Sequence, residues 1–180
     1  MRDAPAHKVQ LEVCIEDVAG LAAAREGGAD RVELCCALQI GGLTPGHGFM
    51  KEAAGAGIAA AVLIRPRPGN FVFGDREQAI MLDDIAFARD LGLEGVVIGA
   101  SREDGSLDMA ALKEMCTAAG PLKICLHRVF DLVPDPFAAI DQSVDLGISR
   151  ILTSGQEPVI ETGLPTLRRL VEHAGDRLDI

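Results

Sequence analysis

The feature that most constrains the fold is a regular alternation of short apolar runs with longer helical stretches. Helices are predicted at 18–26, 48–54, 76–91, 108–119, 136–146 and 164–174, and most of them end at a glycine. Strands are predicted at 9–15, 30–36, 59–65, 95–99, 123–130 and 150–153, and a seventh begins at Arg177. Strands that alternate with helices of this length build βαβ units and a parallel sheet.

Two architectures fit this alternation, the open doubly wound sheet and the closed (β/α)₈ barrel. A dinucleotide-binding sheet carries GxGxxG after its first strand, where this chain has EDVAG at 16–20. The first three strands each combine an apolar face with a face that carries ionisable groups, whereas a central strand of an open sheet is apolar on both faces. A barrel strand packs its outer face on helices and presents polar groups at its carboxyl end. The pattern therefore predicts a TIM barrel.

Length favours one domain spanning residues 1–180, which is large enough for a core without disulfide bonds. A complete barrel needs eight βα units and about 200 residues or more. This chain supplies about six and a half units, so we expect an incomplete barrel that is truncated before its last units.

Charge and hydropathy exclude several classes of partner. The formal net charge is −10, which argues against a sequence-independent nucleic-acid binder. The longest apolar run, 58–64, is far shorter than the ~20 residues of a membrane helix. The segment MRDAPAHKVQ at 1–10 lacks the apolar core of a signal peptide, so we expect a cytoplasmic protein without nucleic-acid or membrane partners.

Two carboxylates, Glu12 and Glu33, lie within predicted strands, where an ionised group is costly unless it is paired or used. One interpretation is a structural ion pair with Arg31, Arg65 or Arg128. The other is a general acid or base, or a ligand for a substrate hydroxyl group or a metal, and two such residues on interior faces favour this second interpretation.

Cysteine spacing points away from disulfides and towards isolated thiols. The five cysteines are odd in number and include no CxxC pair or zinc-finger spacing. Cys14 and Cys35 each follow a strand carboxylate by two residues, so they lie on the same faces as those carboxylates in neighbouring strands. Two such thiolates are suited to one soft metal ion, and the alternative is that both are small interior side chains.

Further polar groups follow the later strands. Arg65 and Arg67, held by two prolines, resemble a clamp for a carboxylate or phosphate, or else neutralise nearby acids. His127 ends the fifth strand, and Ser154 belongs to a TSGQ turn suited to an anionic group. We expect one pocket at the carboxyl ends of the strands, with Cys14 and Cys35 at its wall. Its predicted members are Glu12, Glu33, Arg65, Arg67, His127 and Asp131.

Several stretches together resemble the CutC copper-homeostasis family. They include LEVCIED at 11–17, GGADRVELC at 27–35, IRPRPGNFVF at 64–73, LHRVFD at 126–131 and RILTSGQ at 150–156. The resemblance implies a TIM barrel, a cytoplasmic location, a homodimer or higher homo-oligomer, and copper handling. It also implies that the cysteines of LEVC and VELC, here Cys14 and Cys35, bind Cu(I).

Two functions remain open. The first is a copper-homeostasis protein that binds copper, as Cu(I), through Cys14 and Cys35. The alternative is a barrel enzyme of unassigned reaction that acts on a small hydroxylated or anionic ligand, because most of the polar residues do not suit a soft ion. In that alternative the proton-moving candidates are Glu12, Glu33, His127 and Asp131, and the anion-binding candidates are Arg65, Arg67, Arg128 and Ser154.

Overall fold

Six parallel strands form one curled sheet in which each strand pairs with the next along the chain. The structure is a computed structural model and describes residues 9–180. The strands are β1 (Glu12–Ile15), β2 (Arg31–Leu34), β3 (Ala59–Leu63), β4 (Gly95–Ile98), β5 (Lys123–Leu126) and β6 (Arg150–Ile151). The helices are α1 (Val18–Glu26), α2 (His47–Ala54), α3 (Asp75–Asp90), α4 (Met109–Ala119), α5 (Pro136–Asp145) and α6 (Ile160–Ala174). Two 3₁₀ helices are Leu38–Ile40 and Arg128–Leu132.

This strand order confirms the TIM-barrel class that the sequence predicts. A doubly wound sheet reverses direction partway through its strand order, whereas here the order runs from β1 to β6 without reversal and the sheet curls into a half-barrel. Beyond α6, Asp179 pairs in parallel with Arg150, where the seventh strand was predicted.

The two faces of the sheet differ in chemistry because side chains alternate along each strand. The outer face is aliphatic and packs on the helices in one large core, which includes Val32, Val62 and Met81. The inner face carries the charged residues and a second, smaller core of buried side chains. That inner core consists of Cys35, Ala61, Leu63, Val97 and Cys125.

Strand register brings the predicted interior residues side by side. Glu12 lies opposite Arg31, and Cys14 lies opposite Glu33. Glu33 in turn lies opposite Ala61 of β3. The expectation that these side chains share the interior face is therefore correct.

Several predicted boundaries are wrong. Most strands are shorter than predicted because ladder hydrogen bonding stops where the chain turns towards the helices. The predicted fifth strand, 123–130, ends at Leu126, since the His127 side chain accepts the N–H of Val129 and caps the 3₁₀ helix Arg128–Leu132. The last helix begins at Ile160 instead of 164, with Pro165 inside it.

The N-terminal segment 1–8, which carries most of the reasoning for a cytoplasmic location, lies outside the described residues. Within residues 9–180, none of the helices has the length and apolar character needed to cross a membrane.

Candidate functional site

A cavity of about 360 Å³ opens at the carboxyl ends of the strands, inside the curl of the sheet. Its position is the one at which barrel folds place their sites. Its lining combines polar groups in or just after β1, β2, β3 and β5 with apolar side chains, most of which belong to the loops that follow. The lining residues are Cys14, Glu33, Cys35, Leu38, Ile40, Gly41, Leu63, Arg65, Phe71, His127, Arg128, Asp131, Leu132 and Leu152.

Glu33 is the buried carboxylate of this cavity, with 5% of its surface exposed. Burial, and then the negative charge of Glu12, raise the pKa of Glu33 to about 7. Among the described residues, no arginine, lysine or histidine forms a salt bridge with it. Its Oε1 instead accepts a weak hydrogen bond from the Cys35 thiol at 3.5 Å. Glu33 therefore gains and loses its proton near neutral pH.

The two candidate metal-binding thiols lie next to each other. Cys35 is buried in β2, and its thiol shares a hydrogen bond with that of Cys14, which is exposed. This hydrogen bond, together with burial and the nearby Glu33 carboxylate, raises the pKa of Cys35 far above its usual value. Cys35 is therefore a neutral thiol at physiological pH unless a cation replaces its proton.

His127 is buried and its ring orientation is fixed on two sides. Nδ1 accepts the backbone N–H of Val129 at 3.1 Å, and the ring lies against Phe71 with centroids 4.6 Å apart. Burial, and then the positive charge of Arg65, lower the pKa of His127 to about 3. The ring is therefore neutral, and because Nδ1 is an acceptor, the proton is carried by Nε2.

Arg65 is buried at the end of β3 and is held by backbone carbonyl groups. Its Nη1 donates to the carbonyl oxygens of Ile40 and Gly42 at 3.3 and 3.0 Å, and its Nη2 donates to that of Gly69 at 2.9 Å. The guanidinium also lies over the Phe71 ring, 5.0 Å from its centroid. Neutral carbonyl groups fix this cation in place without neutralising its charge.

Two N–H groups of the cavity residues are buried without a partner. Within the described part of the chain, neither Nε of Arg65 nor Nε2 of His127 donates a hydrogen bond. A buried donor left unsatisfied costs about 1–3 kcal/mol, so such groups call for an explanation. Because both residues line the cavity, acceptor groups of a bound ligand are the natural partners for these two donors.

Asp131 lines the cavity, but its carboxylate is fully engaged in holding the loop after β6. It accepts the hydroxyl group of Thr153, the backbone N–H groups of Ser154 and Gln156, and Nε of Arg128 at 2.7 Å. Burial alone would raise the pKa of Asp131, but the hydrogen bonds from Thr153 and Arg128 lower it overall. Asp131 therefore positions this loop.

Arg128 and Ser154 belong to the same loop arrangement. The half-exposed Arg128 donates to the Ser154 hydroxyl group, and that hydroxyl group donates to the carbonyl oxygen of Glu157. Ser154 does not line the cavity, whereas Arg128 does. Of these two predicted anion-binding residues, Arg128 is placed to contact a ligand in the cavity and Ser154 is not.

Glu12 does not join the predicted pocket. It forms an ion pair with Arg31 and lies 3.8 Å from Arg150, at the amino-terminal end of the strands. The prediction used the alternation of side chains, which fixes the face of a residue but not its depth. Two residues of strand separate Glu12 from Cys14, or about 6.6 Å along the strand. The ion-pair interpretation is correct for Glu12.

Arg67 is likewise absent from the cavity. It forms an ion pair with Glu77 of α3 and donates to the backbone carbonyl group of Val72 at 2.7 Å. Since β3 ends at Leu63, the alternation no longer governs the direction of the Arg67 side chain. Arg65 and Arg67 therefore do not form a two-arginine clamp.

Sequence reasoning missed Phe71 and Gly99. Phe71 contacts both Arg65 and His127, and its only sequence signal is an aromatic residue directly after the Gly69-Asn70 turn. A Cβ atom at Gly99 would lie 2.3 Å from Cε1 of His127, so the histidine ring needs a glycine there. The glycine that ends the GVVIG run of β4 was the available signal.

The fold and this site define a TIM-barrel-type α/β protein with a polar cavity at the carboxyl ends of its strands. More particularly, the chain belongs to the CutC family, whose model matches residues 9–180. A family protein CutC from Agrobacterium fabrum is 52% identical over 170 residues, which cover 94% of this chain and 68% of the relative. The corresponding protein of Caulobacter vibrioides is 48% identical over 97% of this chain and 71% of its own length.

Solved structures agree with this assignment. A crystal structure named as a candidate copper homeostasis protein CutC from Streptococcus agalactiae has a TM-score of 0.90 at 36% identity. The match covers 95% of this chain and 85% of that protein. An aldolase named QR15 has a TM-score of 0.65 at 14% identity, which shows a shared fold alone.

Proposed function

We propose that this chain is an enzyme that acts by acid–base chemistry on a small hydroxylated or anionic molecule bound in the cavity. The observation that carries the proposal is the pair of buried, unpartnered donors on Arg65 and His127 at the same cavity as Glu33. The donors suit an acceptor oxygen of a ligand, and Glu33 suits proton transfer because its pKa of about 7 matches neutral pH. Donor groups and a tuned acid or base in one cavity are typical of an active site.

The roles of the other predicted residues follow from their contacts. Arg65 holds the anionic or electron-rich end of the ligand, and Arg128 is a second, more exposed contact at the rim. Asp131 and Ser154 are positioning residues for the loop after β6. Glu12 and Arg67 belong to ion pairs elsewhere and take no part in this proposal.

Calorimetric titration with oxalate, a small dianion rich in acceptor oxygens, tests whether the donors bind a ligand. The wild-type chain is expected to bind oxalate, and His127→Asn is expected to bind it about 10 to 100 times more weakly. Asparagine keeps an acceptor near the position of Nδ1 and removes the donor at Nε2, and a hydrogen bond to a charged group contributes roughly 1.5–3 kcal/mol. His173→Asn, a change in α6 outside the cavity, is the matched control. Equal affinity in His127→Asn and wild type would remove the proposal.

Copper binding, as Cu(I), is a second candidate because the thiols of Cys14 and Cys35 lie close together in one cavity. Thiolates are the ligands that Cu(I) prefers, and the related Streptococcus agalactiae protein is named for copper homeostasis. The fit is limited to these two thiols. The described residues contain no group of three or more histidine, cysteine, aspartate or glutamate side chains placed to hold a metal ion.

Competition with a coloured Cu(I) chelator tests this second candidate. The double change Cys14→Ser and Cys35→Ser is expected to abolish Cu(I) binding, whereas Cys116→Ser in α4 leaves it unchanged. Binding that survives the double change rules out the thiol pair as the copper site. The oxalate experiment is independent, since His127→Asn leaves both thiols in place.

A further inference from the structure

We propose that the substrate of this site is a carbonyl compound with a hydrogen on the carbon next to the carbonyl group, and that the site stabilises its enolate. The inference rests on the acid–base function proposed above and names its substrate class. The geometry that carries it is one cavity that combines a neutral imidazole donor, an unneutralised guanidinium and a buried carboxylate.

The neutral imidazole is the first part of the argument. The Val129 N–H fixes Nδ1 of His127 as an acceptor, so the ring offers a single donor, Nε2–H. The Nδ1–Cε1 edge of the ring packs on Gly99. Nε2 is buried and has no partner among the described residues, so its N–H is left for a ligand. A neutral imidazole that donates to a carbonyl oxygen polarises it without first giving up a proton, as in the handling of carbonyl substrates by other barrel enzymes.

The guanidinium of Arg65 is the second part. The backbone carbonyl groups of Ile40, Gly42 and Gly69 lock it in place before any substrate binds. No described carboxylate forms an ion pair with it, and its Nε–H has no acceptor. A fixed cation of this kind stabilises negative charge that develops on oxygen, and it costs little reorganisation during the reaction.

Glu33 is the third part, as the base. It is the buried carboxylate among the cavity residues that carries no ion pair within the described chain, and its neighbour Cys35 gives it only a weak thiol hydrogen bond. Asp131, the other carboxylate of the cavity, is saturated by the loop after β6 and is unsuited to accept a further proton.

The proposed proton transfer involves only the substrate and residues of this chain. The Glu33 carboxylate takes the proton from carbon, the C–H bond breaks, and its electron pair forms a C=C bond. The carbonyl π electrons move to oxygen, where Arg65 and His127 hold the enolate. Return of the proton from Glu33 to carbon completes an exchange that requires no oxidant or reductant.

The cavity wall suits a ligand with a short carbon skeleton. Leu63, Phe71 and Leu152 supply apolar surface beside the donors, and one cation is present deep in the cavity. A carbonyl compound places its oxygen at the donors and its carbon chain against these side chains.

Proton NMR in D₂O with EDTA tests the inference, with pyruvate, dihydroxyacetone and acetoacetate as probes. At least one probe is expected to exchange its carbon-bound hydrogens for deuterium at least ten times faster than in protein-free buffer. Glu33→Gln is expected to reduce the exchange to the buffer rate, and Glu52→Gln on the surface of α2 is the matched control. His127→Asn is expected to lower the rate about 100-fold, and His127→Gln, which restores a donor near Nε2, to recover part of it.

Buffer-level exchange with all three probes, or exchange that persists in Glu33→Gln, would overturn the inference. Circular dichroism at 25 °C confirms that each variant is folded before it is assayed. If oxalate binding depends on His127 but no probe exchanges, enolate chemistry is wrong and the ligand site stands. If oxalate also fails to bind, the proposed function falls with it.

Discussion

Burial favours the neutral forms of both Glu33 and His127, and the two groups change stability with pH in opposite directions. Burial raises the pKa of Glu33 to about 7 and lowers that of His127 to about 3. As pH rises from 4.5 to 7, Glu33 ionises in the unfolded chain before it does so in the folded chain, so it lowers stability. As pH falls from 6.5 towards 3, His127 is protonated first in the unfolded chain, which also lowers stability. The two effects partly cancel between pH 4.5 and 6.5.

Glu33→Gln is expected to remove the contribution of Glu33 to the pH dependence of stability. Well below pH 4.5 both wild-type and variant side chains are neutral in the folded and unfolded chains, so their difference in free energy of unfolding approaches a constant baseline. As pH rises through 7, the variant is expected to gain about 3 kcal/mol over wild type, because it avoids ionising a buried group. Urea unfolding at pH 4.5, 6 and 8 measures this gain. A difference that does not change with pH would show that Glu33 is not buried as described, and Glu52→Gln is the flat control.

At the scale of elements, β4 and β5 create the space for the histidine. Gly99 follows β4, and His127 follows β5 and caps the 3₁₀ helix Arg128–Leu132. Because the ring fills the volume where a side chain at position 99 would lie, these two strand ends depend on each other. The tautomer of His127 is set separately, by the Val129 N–H that donates to Nδ1.

Gly99→Ala, at the end of the strand next to β5, is therefore expected to displace the His127 ring. The added Cβ atom would lie 2.3 Å from Cε1 and 2.5 Å from Nδ1 of His127. We expect a loss of about 1–3 kcal/mol in stability from overpacking, and weaker oxalate binding in a chain that still folds. Gly48→Ala is the control, because a Cβ atom at that position in α2 has open space around it. Unchanged stability and binding in Gly99→Ala would contradict the described contact.

The loop after β6 depends in the same way on one carboxylate. Asp131→Asn converts an acceptor of several N–H and O–H groups into an amide and removes its charge. Hydrogen exchange at the backbone amides of Ser154 and Gln156 is expected to accelerate at least tenfold. Asp104→Asn, in an exposed turn, is expected to leave both rates unchanged. Retained protection in Asp131→Asn would show that the loop is held by other contacts.

Strand elements and their inner faces were predictable from sequence, because alternation follows from covalent geometry. Cys14 and Glu33 lie side by side for this reason. Depth along the barrel and the direction of side chains beyond the strand ends were not predictable. Glu12 lies closer than the cavity to the amino-terminal end of the strands, where it pairs with Arg31. Arg67 forms an ion pair with Glu77, which belongs to the following helix, α3. The tautomer of His127 depends on a 3₁₀ helix where the sequence predicted further strand.

At the scale of the whole molecule, β1 forms one edge of the described sheet, and the segment that leads into it exposes apolar side chains. Val9 is 89% exposed and Leu11 52%. A strand edge with exposed apolar residues is a common site of association between chains. This feature agrees with the expectation of a homodimer or higher homo-oligomer, which stays a prediction.

Self-association through this edge has a direct test. Sedimentation velocity of the 180-residue chain is expected to show concentration-dependent association. Leu11→Lys is expected to weaken that association, because a charge at a strand edge opposes pairing. Ile80→Lys, an equally exposed position on α3, is the control. A stable monomer at all concentrations would contradict the prediction.

The central claim is that His127 is a neutral donor whose Nε2–H meets a ligand, and ¹⁵N NMR of the histidine rings tests it most directly. Four histidines are present, and the signals absent from His127→Asn identify the ring of interest. From pH 5 to 8 the ring is expected to stay neutral with its proton on Nε2, and the Nε2 signal is expected to shift when oxalate is added. Protonation near pH 6.5, a proton on Nδ1, or an Nε2 signal indifferent to oxalate would contradict the account.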